Sequence, residues 1–245
     1  MLWYRAQAVG SLVSSLCWGL LIVTTVYLST RNVKQVLGYS ASELIALSGV
    51  QVIFLGLFHA IISHNIERIP ELIAKGKLDL ILLQPVDSQF SVSFGQIALA
   101  SFARVILGII FFIFLIQSGQ IVQPTFGAIV GFAILLCFSI ALFYSVWFMV
   151  TTLLIWFPHM DNVVELLYSV NTISRYPHEF FRQIGFAVAL FTFPFAISLI
   201  VPLRVLLGRG DIVQVLSLCI ISIIFVIFSR IFWLFALRHY TSASG

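Results

Sequence analysis

Charge is what this sequence has least of. Only 9% of its 245 residues are Asp, Glu, Lys or Arg, where soluble domains carry about a quarter. A water-soluble fold cannot conceal the 61% that are hydrophobic, and a disordered chain shows the opposite bias. Lipid is therefore the solvent for most of the chain, which excludes a secreted scaffold, a cytosolic enzyme and a nucleic-acid reader. Cysteine is scarce too. Cys17, Cys137 and Cys219 each lie inside an apolar run, fit no zinc spacing and are odd in number, so they read as packing residues. Nucleotide and catalytic motifs are missing: Gly76-Lys77 is the only Gly-Lys pair, it is followed by leucine, and no glycine stands five positions before it. His-Glu-x-x-His, Gly-x-Ser-x-Gly and paired carboxylates are absent as well. The histidines (His59, His64, His159, His178, His239) are scattered, so neither a metal nor a cofactor is expected on this chain.

What is present is a set of long uncharged gaps. A charge deep in hydrocarbon is expensive and about 20 apolar residues span a bilayer, so the gaps mark crossings. Arg5 to Arg31, Glu43 to Glu67, Arg182 to Arg204 and Asp211 to Arg230 each bound one. The longest gap, Arg104 to Asp161, holds parts of two crossings and turns near Gly119 and Pro124. The expectation is an all-α polytopic membrane protein, one domain over 1–245, with six transmembrane helices at 9–29, 42–63, 93–116, 126–156, 183–203 and 212–236. No run alternates apolar and polar residues as a membrane barrel requires, so strands are not expected. The first apolar run reads as a retained anchor, and no soluble domain is expected at either end. The net charge of +4 reports orientation. With both termini in the cytosol, Arg5, Arg68, Lys75, Lys77, Arg175, Arg182 and Arg238 lie inside, against Arg31, Lys34, Arg204 and Arg209 outside.

The segment from His64 to Gln89 concentrates charge: Glu67, Arg68, Glu71, Lys75, Lys77, Asp79 and Asp87. Pro70 is placed to open a short helix, Glu71 and Lys75 stand four apart for pairing, and Gly76 is placed to end it. Leu78, Leu80, Ile81, Leu82 and Leu83 form a second apolar stretch closed by Pro85. A lipid-binding loop favours unpaired basic residues. Mixed charge interleaved with apolar residues suits a knob that docks in a protein groove.

Within that knob, Ile73-x-x-Gly76-x-Leu78-Asp79-x-x-Leu82-Leu83-x-Pro85-Val86 resembles the signature of bacterial ABC permeases of the second type, the six-helix subunits of ABC exporters. Tyr4-Arg5-Ala6 and Trp18 resemble the family's opening. Tyr176-Pro177, Phe180-Phe181, Pro194, Pro202 and Leu206-Leu207-Gly208 resemble its close. The resemblance implies that the segment around Glu67 to Pro85 is a coupling helix docking on a separate ATPase dimer, which would bind ATP and magnesium. It implies a second permease, a copy or a paralogue, and export across the cell inner membrane. Glu67, Arg68, Glu71, Lys75, Gly76, Lys77, Leu78, Asp79 and Pro85 are then the coupling residues. The alternative is an ATP-independent secondary transporter or channel, which calls for midplane acidic residues and an internal repeat.

Four charged residues are candidates for a transport path: Arg104, Asp161, Glu165 and Arg230. Arg104 and Arg230 either snorkel to headgroups or share a polar patch at the inner mouth. The segment 159–176 is amphipathic, with Asp161, Glu165, Tyr168, Thr172 and Arg175 on one side. It lies on the interface or forms a crossing itself, in which case 183–208 becomes a re-entrant hairpin broken at Pro194 and Pro202. Gly127 and Gly131 offer a small-residue face for helix packing.

Overall fold

The computed structural model describes residues 2–30, 35–36, 39–157, 162–173 and 186–240. Ser40 opens its most enclosed helix. The Ser40 hydroxyl accepts the Glu43 N–H (3.2 Å) while the Glu43 carboxylate accepts the Ser40 N–H (2.9 Å), satisfying two donors that a helix start leaves free. Helix α2 (Ala41–Phe58) continues through a π-helical stretch, His59–Ser63, into one last turn, α3 (His64–Ile66). Before it stand α1 (Leu2–Thr30) and a short antiparallel ladder, β1 (Gln35–Val36) against β2 (Tyr39–Ser40). With two residues a side, that ladder is a local exception in an otherwise helical chain.

After α3 come α4 (Ile69–Ala74), α5 (Leu78–Leu82) and α6 (Ser88–Phe94). A 3-10 turn at Leu99–Ser101 leads into α7 (Phe102–Gln117). Then follow α8 (Phe126–Thr152), α9 (Val163–Ile173), α10 (Phe186–Leu206) and α11 (Ile212–Leu237). Among the described residues five helical runs are long and apolar enough to cross a membrane: Val9–Leu28, Ala41–Ala74, Leu99–Gln117, Phe126–Ile155 and Ile212–Leu237. The crossing expected at 183–203 falls on α10, whose described apolar part is Pro194–Leu206. The helix expected at 93–116 is not one piece: the chain leaves helix between α6 and the turn at Leu99.

Helix α10 runs unbroken through Pro194 and Pro202, unlike the broken hairpin weighed above, and antiparallel to α8. Phe195 meets Phe143 at 5.3 Å between ring centroids, Ser198 meets Ser139, and Val205 faces Gly131. A proline inside a helix withdraws the N–H owed to the carbonyl four residues back. For Pro202 that carbonyl is on Ser198, and the Ser139 hydroxyl of α8 donates to it. The neighbouring helix thus satisfies a group that hydrocarbon could not.

The helices form two groups, α1–α2–α7 and α8–α10–α11, joined where α2 meets α10 and α8. Glycine lets α2 and α7 close up: a Cβ on Gly56 would lie 2.9 Å from the Val105 backbone nitrogen, and one on Gly108 would lie 2.5 Å from Ile53. In lipid, close packing of this kind is what holds helices together, because hydrocarbon removes the aqueous driving force. Among the described residues Gly127 has open space around it and Gly131 meets only Val205, so the expected small-residue pair is not the tight contact. Phe54, Phe58, Phe143 and Trp147 interlock edge-on between the groups, with Phe54 to Phe143 at 4.9 Å and Phe58 to Trp147 at 5.1 Å. The outward faces of α1, α7 and α11 expose Leu12, Val13, Ile106, Ile109, Ile110, Ile220, Ile223 and Ile224. Apolar surface on that scale fits a hydrocarbon solvent.

Candidate functional site

Local chemistry shapes the knob between α3 and α7. Pro70 sits in the first turn of α4, where a missing N–H costs nothing, and Glu71 bonds Lys75 across one turn at 2.8 Å. Gly76 then takes a φ of +64°, a left-handed conformation that ends α4 and turns the chain into α5. Ile69, Ile73 and Leu78 are buried and root the knob. Arg68, Glu71, Lys75, Lys77 and Pro85 are exposed. Glu67 and Asp79 are half-buried, and the Asp79 charge acts on Tyr240 just beyond α11. At the tip, Leu80 is 66% and Leu83 is 82% exposed. An apolar tip on a buried root is the geometry of a plug.

Side chains tie the knob's base to the helices. Asn65 acts as a surrogate peptide: its amide nitrogen donates to Ile61 O (2.9 Å) and Gln96 O (2.8 Å), and its oxygen accepts the Gln96 N–H (2.9 Å). That clamp holds the break between α6 and α7 against the end of α2. On another side, the Tyr168 hydroxyl of α9 donates to Glu67 (2.6 Å), while its ring stacks on His59 (5.6 Å) and meets Trp147 edge-on (5.4 Å). Helix α9 therefore lies against the base of the knob, with Val163 and Leu167 buried and Glu165 exposed.

Helix α6 carries the densest polar contacts. Asp87 caps it, accepting the Phe90 N–H at 3.0 Å, and receives the Arg230 guanidinium of α11 on both oxygens, at 2.9 and 2.5 Å. Arg230 also reaches Gln89 (3.2 Å); Gln89 donates to the Tyr144 hydroxyl of α8 (3.0 Å), which Ser93 also contacts at 3.0 Å. Trp233 of α11 donates to the Ser88 hydroxyl at 3.0 Å. The Arg230 hydrogen bond, with help from the cap, holds the Asp87 carboxyl below its usual value of 3.8 against the opposing effect of burial. A depressed carboxyl stabilises the fold above its unfolded pKa, and that contribution is lost as pH falls through the lower folded value. We therefore expect the clasp to be constant from pH 5 to 8 and to open only below about pH 4. Carbon-13 titration of the Asp87 carboxyl should place its midpoint below that of the Arg230→Gln variant.

The three expected path residues that the structure describes, Arg104, Glu165 and Arg230, do not converge. Arg104 donates from Nε to the Ser15 hydroxyl of α1 at 2.8 Å, whereas Arg230 belongs to Asp87 and Gln89. Asp161 lies outside the described residues. Sequence reasoning missed Asn65 and Tyr144 and gave Tyr168 only a place on a polar stripe; folding brings their partners from 31 to 101 positions away. It also passed over Gln51 and Trp147, each with a buried nitrogen donor that finds no acceptor among the described residues. Among the described residues no group of three or more His, Cys, Asp or Glu could hold a metal.

No curated protein and no solved structure matches the chain. A family model described as ABC-2 family transporter protein does, over residues 16–244, nearly the whole length. Members of that family are membrane-spanning transport subunits without an ATPase domain, which agrees with the lipid-facing helices and the absent nucleotide motif. The chain belongs to the ABC-2 family of transporter proteins, as a multi-pass membrane subunit whose ATPase is a separate partner.

Proposed function

We propose that this subunit is half of an ABC exporter that crosses the cell inner membrane six times, with both termini in the cytosol. Residues 64–89 are its coupling segment, seated in a groove of an ATPase dimer that binds ATP and magnesium. A second six-helix permease, either another copy or a paralogue, completes the path. The cargo is amphipathic, in keeping with an interior of phenylalanines and few polar groups. Helix α10 is the fifth crossing, and α9 lies on the cytosolic interface. The observation that carries this reading is the knob itself: two leucines at a tip exposed to water, on a base fixed by Asn65, Glu67 and Asp87. Exposed leucine on a rigid support is stabilised by a partner's apolar groove.

Capture of the co-expressed ATPase by the purified subunit tests it. Burying one leucine contributes about 2 kcal/mol, so Leu83→Asp should weaken capture more than tenfold, and Leu80→Asp similarly. Glu71→Ala with Asp79→Ala should weaken it further by removing polar rim contacts. The subunit's thermal midpoint should not move in the two leucine variants, because those side chains touch little of the subunit. Capture and cargo flux that ignore all four substitutions would overturn the reading.

A further inference from the structure

The geometry points to α6 as a crossbar that binds the knob to α8 and α11 as one rigid unit, with the Asp87–Arg230 pair as its principal bolt. This rests on the reading of residues 64–89 as the docking knob. Helix α6 is short; Gln89 and Ser93 are buried, while its cap Asp87 meets Arg230 at the exposed edge. Asp87 and Gln89 hold Arg230 of α11, Ser88 holds Trp233 of the same helix, and Gln89 and Ser93 hold Tyr144 of α8. At its far end Gln96 is gripped by Asn65 at the end of α2. The seven-residue helix, with Asp87 before it and Gln96 after it, is thus fastened to α11, α8 and the end of α2 by hydrogen bonds. The outward side of α6 carries Phe90 and Phe94, both exposed, with rings 5.3 Å apart.

Such a fastening has a mechanical consequence. A knob joined only by flexible chain would yield under a push and leave the helices at rest. Bonded through α6, a displacement of the knob must carry α8 and α11 with it or break charge-assisted bonds. Asp87 and Arg230 are positioning residues here, because they act by fixing where the knob sits.

Two substitutions separate the bolt from the cap. Asp87→Asn keeps a good helix cap but removes the charge, and Arg230→Gln removes the charge from the other side. Nitroxides at Gln84 and Leu234, in a background of Cys17→Ala, Cys137→Ala and Cys219→Ala, report the interval between knob and α11 in the full-length subunit in nanodiscs. The unsubstituted subunit should show one narrow interval. In either variant the population at displaced intervals should grow about five-fold, and the double variant should be no worse than one alone. Should Arg230→Gln fail to insert, Tyr144→Phe removes the α8 bonds and should broaden the interval in the same direction. In the ATPase complex both charge variants should lower kcat for ATP with KM unchanged, and Arg230→Lys should recover part of the loss. Unchanged intervals in both charge variants, or effects of the two that simply add, would overturn the crossbar. ATPase capture is read in parallel: its absence from the unsubstituted subunit sinks the docking reading, while the interval still decides whether α6 is the fastening.

Discussion

Gly56→Leu should unfold the subunit in detergent at a temperature roughly 6–12 °C below that of the unsubstituted chain, a loss of about 3 kcal/mol. The first added carbon would stand 2.7 Å from the Val105 side chain, 2.9 Å from the Val105 backbone nitrogen and 3.1 Å from the Arg104 Cβ. A side chain can rotate away from an intruder, but a backbone nitrogen cannot. Helices α2 and α7 must therefore separate, and with them the Arg104 to Ser15 bond that links α7 to α1. Overpacking of this kind costs about 1–3 kcal/mol in tolerant cores, and a leucine here stands at the upper end. Gly127→Leu is the matched control: it adds the same side chain to a helix glycine with open space around it, and should change the midpoint little. Equal shifts from the two variants would remove the close α2–α7 contact as the reason.

These two glycines also mark how far the sequence could be read. Spacing drew attention to Gly127 and Gly131, because a small residue every fourth position is visible in one dimension. Gly49, Gly56 and Gly108 lie on two helices far apart in the chain, and their convergence exists only after folding. Crossings were legible because hydrocarbon excludes charge whatever the tertiary structure. Pro70 and Gly76 were legible because each acts through its own backbone: one supplies no donor, the other tolerates a positive φ.

Where structure and expectation part, a long-range contact has intervened. The third crossing was expected to run in one piece from 93 to 116. The helix breaks between α6 and α7 because Asn65 captures the backbone of Gln96. Arg104 and Arg230, which both interrupt apolar helices, were expected either to snorkel to headgroups or to share a polar patch at the inner mouth. Their partners, Ser15 and Asp87, are separated from them by 89 and 143 positions, beyond any local pattern. The π-helical stretch at His59–Ser63 has an ordinary helical composition and gave no sign in the sequence.

Asn65 supplies the other large effect. It is 3% exposed, and its amide makes three hydrogen bonds, two of them to the backbone of Gln96. Asn65→Leu fills the space but strands the Gln96 N–H and two carbonyls in a part-buried setting. The expected loss is about 2–4 kcal/mol of stability, read as a lower thermal midpoint at every pH. Asn65→Asp separates shape from hydrogen bonding. As a carboxylate it can accept the Gln96 N–H but cannot donate to the Ile61 and Gln96 carbonyls, and it brings a negative charge against both. Burial and those carbonyl oxygens disfavour the charged form, so the folded pKa of the new carboxyl rises above its unfolded value of about 3.9. The folded state then holds a proton that the unfolded state has lost, and stability falls as pH rises from about 4 through the folded pKa. Thermal midpoints of Asn65→Asp should therefore climb on acidification from pH 7.5 to pH 4.5, while those of Asn65→Leu stay level. The proton restores one donor to a site built around donors. A flat profile for Asn65→Asp would mean that Gln96 is held by packing alone.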